Sequence, residues 1–474
     1  MTWDFLKFQE IDSATWFYLS LLLAIAIFFR FRRVFSLRNW DIITLFLLTP
    51  GLLATNKVEA FLKLHPAVQP VAMESQIVGV DQQVKRDANS VAVLAQSPDW
   101  QQLKQFGYLW LFAGTFYFVV RCFVDLMIVR RPRLEQNLST GGVVFLIVCL
   151  FGYLVVSILT REPDAASRRG AHVALSLMEG ETKLPKEIIA DPATVLFMLP
   201  SASVERALAT TNMHSAPNGQ LLAEENIIRS ALIIGHILII SALVVCGWKH
   251  YQSITTGLAM ALLYLMIPVT FMHAIKLDHL IPTALLLWSI VFYRQSVVSG
   301  SLMGLASVSF FPLFLIPLWL SFYRKGGFKR YLTFFFGVTI LLWLLVYFVP
   351  SLASFGELWS TSLSSKVLIS QETAQKSVGF WTETTQIYRL PIAIVFMIVV
   401  VGSFFIPREK TLADLISISA IIFLSVQFWY ADRGGTYLHW YMPLLLLIIF
   451  RPNLSETFAP PPSPATPPPP PSSP

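Results

Sequence analysis

Charge is scarce in this chain: Asp, Glu, Lys and Arg together make up 13% of its 474 residues, about half the share of an ordinary soluble domain. A water-surrounded globular enzyme is therefore excluded. Cysteine is scarcer still. Its three examples, Cys122, Cys149 and Cys246, all lie within apolar runs, which implies neither a disulfide framework nor a thiolate metal site. The chain also has no Walker A lysine loop, no HExxH helix, no paired CxxC and no GxSxG elbow. ATP-driven transport, zinc hydrolysis and serine acyl transfer thus lack their usual residues. No internal repeat is visible at any period, which argues against a transporter made of two similar halves.

Apolar surface takes the place of what is missing. Hydrophobic residues reach 55% and aromatics 14%, and the mean hydropathy is +0.62. These values indicate an all-α, polytopic integral membrane protein. The formal charge of +7 does not require nucleic acid, because short connecting loops on one side of a membrane supply it. Apolar stretches long enough to cross a bilayer occur at 14–35, 40–56, 106–129, 140–160, 227–248, 254–273, 279–294, 331–350, 389–406, 410–430 and 436–450. The stretch 297–323 is read as a re-entrant pair of short helices, since Pro312 and Pro317 interrupt the backbone ladder near its middle.

With that hairpin, 16 of the 35 basic residues gather in short connectors on one side, in "RFRRVFSLR", "RRPR", "RKGGFKR", "REK" and at Lys249, Arg294 and Arg451. Such loops mark the cytoplasmic face. The N-terminus is then extracytoplasmic, with loops 57–105, 161–226, 273–279, 351–388 and 431–436, and the C-terminus is cytoplasmic. The first span is not a cleaved signal peptide, as it ends in a basic run rather than at small residues. Asn-X-Ser sites at Asn137 and Asn453 fall on the inner side, in keeping with a bacterial inner membrane. Three regions follow: an N-terminal three-span part (1–139), a membrane domain (140–451) and a Pro-rich, disordered tail (452–474).

Few polar groups enter the apolar stretches. Arg121 and Asp125 stand four apart on one helix face, where each can neutralise the other. His236 reads as a hydrogen-bonded core histidine or a ligand contact. The glycines of "GGVVFL" and "GSLMG" read as helix-packing positions. In the outer loop 161–226, "PDAASRRGAHVALSLMEG" has the pattern of a surface helix with Asp164 at its N-cap and Gly180 as its stop. "HAIKLDHL" (273–280) places His273, Lys276, Asp278 and His279 in a tight outer turn. Asp278 suits an N-cap there, and the cations suit a pocket for an anionic group. A metal held by His273, Asp278 and His279 lacks the usual i,i+4 histidine spacing.

Between about 140 and 450, the long outer loop opening on an acidic residue, "LLLWS" (285–289), "GSLMGLASVSFFPLFLIP" (300–317) and "YLHWYMPLLLL" (437–447) follow one another in order. This succession resembles the GT-C superfamily, and within it the family 87-like polyprenyl-phosphate-dependent mannosyltransferases. The resemblance implies that Asp164 is the catalytic base and that Lys276, Asp278 and His279 approach the lipid-phosphate donor. It adds Arg433 and His439 as late-loop binding residues. A sugar would pass from a polyprenyl-phosphate donor to an acceptor on the extracytoplasmic face. No cofactor is specified, although the reaction class accommodates a divalent metal. The alternative is a non-enzymatic multi-pass membrane protein, a transporter or an assembly subunit.

Overall fold

Asp12 opens the first helix by accepting a hydrogen bond from the Ala14 amide at 3.2 Å, which satisfies an otherwise orphaned donor. The computed structural model describes residues 12–64, 98–128, 136–179, 191–209, 219–348, 380–382, 386–430, 434–454 and 457–459. Among them the regular elements are all helical, apart from one isolated antiparallel bridge between Thr411 and Phe458.

The N-terminal helices are α1 (Ser13–Phe28), α2 (Leu37–Leu47), α3 (Thr49–Leu64) and α4 (Pro98–Met127). The first stops well short of the expected residue 35, and polar side chains collect the carbonyls freed at its end. Arg38 Nη2 donates to Phe28 O at 2.9 Å. Asn137 Nδ2 donates to Ala26 O and Phe29 O at 3.1 and 3.0 Å. Asn39 Nδ2 serves the connector, donating to Arg30 O, Arg33 O and Val34 O at 3.0 to 3.1 Å. Buried carbonyls need such partners.

Helix α5 (Thr140–Thr160) leads to α6 (Ala165–Glu179) and α7 (Pro192–Ala209), which pack on each other and on α8 (Gly219–Lys249). The expected surface helix is thus present as α6, while Gly180 lies outside the described residues. Helix α8 begins eight residues before the expected span at 227. Its first turns are polar, with Glu225 paired to Arg229 at 3.0 Å and Glu224 contacting His172 of α6 at 2.8 Å. Apolar content alone hides such an extension.

Next come α9 (Ile254–Met266), α10 (Pro268–Met272), α11 (Leu277–Val291), α12 (Ser296–Ala306), α13 (Ile316–Phe322), α14 (Phe328–Phe348), α15 (Arg389–Phe405), α16 (Leu412–Trp429) and α17 (Leu438–Phe450). The expected span 254–273 is broken after Met266, because Pro268 starts a new helix at N1. The 297–323 stretch turns back on itself through two 3-10 segments and a positive φ of 67° at Phe310. Tyr323 Oη donates to Tyr293 O at 2.6 Å, so the end of the run returns to the chain just before its start. Gly300 and Gly304 let α12 approach α14 closely. A Cβ would come within 2.7 Å of Tyr331 O at the first and 2.8 Å of Phe335 O at the second. Gly141, by contrast, faces open space.

Among the described residues five helical stretches, Leu37–Phe61, Trp100–Met127, Thr140–Thr160, Gly219–Lys249 and Leu412–Trp429, are long and apolar enough to cross a membrane, and six shorter apolar helices accompany them. The protein is a helical membrane protein. Helix α4 packs along α16, and a chain of buried charges ties the end of α4 to α2 and to Arg451, just past α17. Arg121 donates to both Asp41 oxygens at 2.7 Å and to Asp125 Oδ1 at 3.1 Å. Arg451 holds Asp125 Oδ2 at 2.8 and 2.6 Å. The i,i+4 pair read from the sequence is the middle of this alternating four-residue chain.

Candidate functional site

The end of the bundle where α11 and α17 begin collects four histidines from distant parts of the chain. His236 comes from the interior of α8, His273 from the turn after α10, His279 from the first turns of α11, and His439 from the start of α17. All four are buried. Ring centroids lie 5.7 Å apart for His273 and His439, 6.3 Å for His273 and His279, and 6.4 Å for His236 and His439. Thr283 ties two of the helices together, its hydroxyl donating to His279 O at 2.8 Å and to His439 O at 3.4 Å.

The four rings are not equally satisfied. His236 Nε2 faces Ala274 O at 3.3 Å and must donate there, so Nδ1 accepts from Tyr264 Oη at 2.9 Å. That is the bonding of a neutral, fully partnered ring. His279 Nε2 meets Asp278 Oδ2 at 3.2 Å, while its Nδ1 has no hydrogen-bond partner among the described residues. His439 has none on either nitrogen. A buried polar atom without a partner costs about 1–3 kcal/mol. Such atoms in a native fold call for an explanation.

Aromatic rings wall the cluster. Tyr437 and Trp440 lie 4.6 and 5.7 Å from the His279 ring, and Phe311 of the hairpin tip sits 3.6 Å from Trp440. A few residues before Phe311, Leu305 and Val308 line an apolar groove of about 410 Å³ together with Met178 of α6 and Leu196, Phe197 and Pro200 of α7. The hairpin tip therefore joins the histidine cluster to an apolar trough.

Asp164 is exposed and caps α6, accepting from the Ser167 amide at 3.1 Å. It lies three residues after Arg161, whose Nη1 donates to Phe271 O, two residues before His273. Three residues span at most about 11 Å, so the cap is at the histidine end of the bundle. Lys276 is the residue preceding α11, and its charge and that of Asp278 both act on His439. Asp278 is not the N-cap of α11. The helix begins at Leu277, which puts Asp278 in its first turn, where the carboxylate meets the next side chain, His279. Arg433 lies outside the described residues.

The structure thus brings Lys276, Asp278, His279 and His439 together and places Asp164 at the same end. Sequence reading weighed His273 and His236 without joining them to His439, which lies 166 and 203 positions away in the chain, and it gave no role to Tyr437 or Trp440, which look like ordinary aromatic residues of a span. Helix α7 was missed as well, although "DPAT" carries the signal. Asp191 caps it, accepting from the Thr194 amide at 3.4 Å, and Pro192 takes the first helical position. Among the described residues no group of three His, Cys, Asp or Glu side chains is arranged to hold a metal ion. Comparisons with protein families, with curated proteins and with solved structures found no match.

Proposed function

We propose that the protein is a membrane glycosyltransferase that moves a sugar from a polyprenyl-phosphate donor to an acceptor hydroxyl at the histidine-lined end of the bundle. The observation that carries this reading is the meeting, at one end, of a partly unsatisfied imidazole cluster, an exposed carboxylate and an apolar groove. A lipid-linked sugar phosphate needs all three. Asp164 takes the proton of the acceptor hydroxyl as its oxygen attacks the anomeric carbon. The bond between that carbon and the phosphate oxygen breaks, and the lipid phosphate leaves with the bonding electrons. Lys276 and the histidine N–H groups stabilise the leaving phosphate. Asp278 orients His279, and the polyprenyl chain lies in the groove beside α7.

In this reading the eleven spans and the hairpin place the N-terminus and the histidine end outside, the C-terminus inside, and the whole chain in the bacterial inner membrane. The test is transfer by purified protein in lipid from radiolabelled polyprenyl-phosphate sugars. Asp164→Asn should lower transfer about 10² to 10⁴-fold and Asp278→Asn less. A folded wild-type protein that transfers nothing from any such donor would instead support a transporter or assembly subunit. The chain of Asp41, Arg121, Asp125 and Arg451 does not favour transport, since each of its charges is already neutralised by a neighbour.

A further inference from the structure

The opposite end of α16, about 27 Å away along its axis, holds a second cleft that the transferase reading does not use. It has a volume of about 680 Å³ and is formed by Arg324, Phe405, Ile406, Pro407 and Arg408, where α13 and α15 end. Both arginines are exposed, and neither meets a carboxylate among the described residues. The nearby acids are engaged elsewhere. Glu409 pairs with Lys325 at 2.5 Å, and Asp414 closes the cap of α16 by accepting from the Thr411 amide and hydroxyl at 2.8 and 2.7 Å.

Behind the cleft lies a third cation. Lys410 is buried, and its ammonium donates only to neutral oxygens, Ser321 Oγ and Pro407 O at 2.7 Å and Phe404 O at 3.3 Å. Burial and the nearby charge of Arg324 push its pKa below the ordinary lysine value, against the pull of Asp414. An uncompensated positive field therefore fills the cleft.

The walls on the other side are apolar. Phe405 and Ile406 are 62% and 75% exposed, and Phe405 also closes a second, wholly apolar groove of about 670 Å³ that runs along α15 past Leu390, Ile394, Met397, Ile398 and Val401. One residue thus joins a basic pocket to a channel for a hydrocarbon chain. We infer that the cleft binds an anionic phospholipid, its phosphate between Arg324 and Arg408 and an acyl chain along α15. Charge complementarity selects the headgroup, and continuity with the groove selects an amphiphile over a soluble anion. Guanidinium groups in such a position hold phosphate through paired N–H donors.

Native mass spectrometry of the full-length detergent-solubilised protein, titrated with phosphatidylglycerol and with phosphatidylcholine, tests the inference. The wild type should retain phosphatidylglycerol preferentially. The pair Arg324→Gln and Arg408→Gln should weaken that binding about thirtyfold, roughly fivefold for each cation, and leave phosphatidylcholine unchanged. The pair Arg324→Lys and Arg408→Lys should keep most of the preference, and Lys325→Gln, outside the cleft, should keep all of it. If the glutamine pair does not fold, Arg408→Gln alone should still show its fivefold loss. Equal binding of the two lipids by the wild type would overturn the proposal, as would full phosphatidylglycerol affinity in a folded glutamine variant. So would displacement of the lipid by millimolar inorganic phosphate.

Discussion

Two buried polar clusters lie at different levels of this bundle, and they are built on opposite principles. In the chain Asp41, Arg121, Asp125 and Arg451, two carboxylates and two guanidinium groups alternate, with contacts of 2.6 to 3.1 Å. In the histidine cluster the side chains are equally buried, yet His439 makes no hydrogen bond through its ring among the described residues. A saturated network holds helices together and has no capacity left for a ligand. An unsaturated one weakens the fold and offers donors and acceptors to whatever enters. Burial alone does not tell a saturated polar network from one with capacity left for a ligand; the number of unmet hydrogen bonds does.

The most disruptive way to probe this contrast is Asp125→Leu. Removing that carboxylate leaves Arg121 and Arg451 buried with too little negative charge, which should cost about 3–5 kcal/mol. Unfolding of the detergent-solubilised variant by heat or denaturant measures it. Combining Asp125→Leu with Arg451→Met should recover part of the loss. If the double variant is as unstable as the sum of the single changes, the chain is not a coupled network.

In the histidine cluster the same kind of change should act in the other direction. His439→Phe removes two unpartnered nitrogens and adds only about one ring atom, so it should stabilise the protein by about 1–3 kcal/mol and abolish sugar transfer. Lower stability in this variant would mean that the ring is satisfied in the membrane and belongs with the ion chain. A partnered histidine provides the control. His250, just beyond the end of α8, accepts no charge easily, because burial pushes its pKa down to about 4 although its Nε2 bonds Val291 O at 2.9 Å. The unfolded chain, with an ordinary histidine near 6.5, binds the proton first. Stability should therefore be complete above about pH 6.5 and fall as the pH drops toward 4. In His250→Gln that stretch of the profile should be flatter.

Much of the fold was legible because the membrane imposes one rule, that backbone polar groups be satisfied within each helix. Apolar runs accordingly located most of the helices, and Pro312 with Pro317 located the hairpin. Ends were harder to read. Helix α1 stops early because Arg38, Asn39 and Asn137 bind backbone carbonyls at and beyond its end, and α8 runs long because its polar start packs under α6 and α7. The basic residues of short connectors were read only as marking one face of the membrane, and three of them, Arg38, Lys410 and Arg451, are also buried and bonded. Of the candidate site, "HAIKLDHL" announced itself by concentrating charge in an apolar region. His236 was legible only as an isolated histidine and His439 only through the family resemblance, since their nearness to each other and to the turn comes from packing.

Asp164 joins the two themes, because one side chain serves both as a helix cap and, in the proposed reaction, as a base. The cap is a neutral requirement. Asn accepts a hydrogen bond from the Ser167 amide as Asp does, and the two rank about equally at N-caps. The base is a charged requirement that Asn does not meet. Asp164→Asn should therefore change the unfolding free energy by no more than about 0.5 kcal/mol while removing transfer. A loss of both would show that activity fell with the helix, and a loss of neither would leave α6 with a cap and move the search for the base to Asp278, inside the turn with His273 and His279.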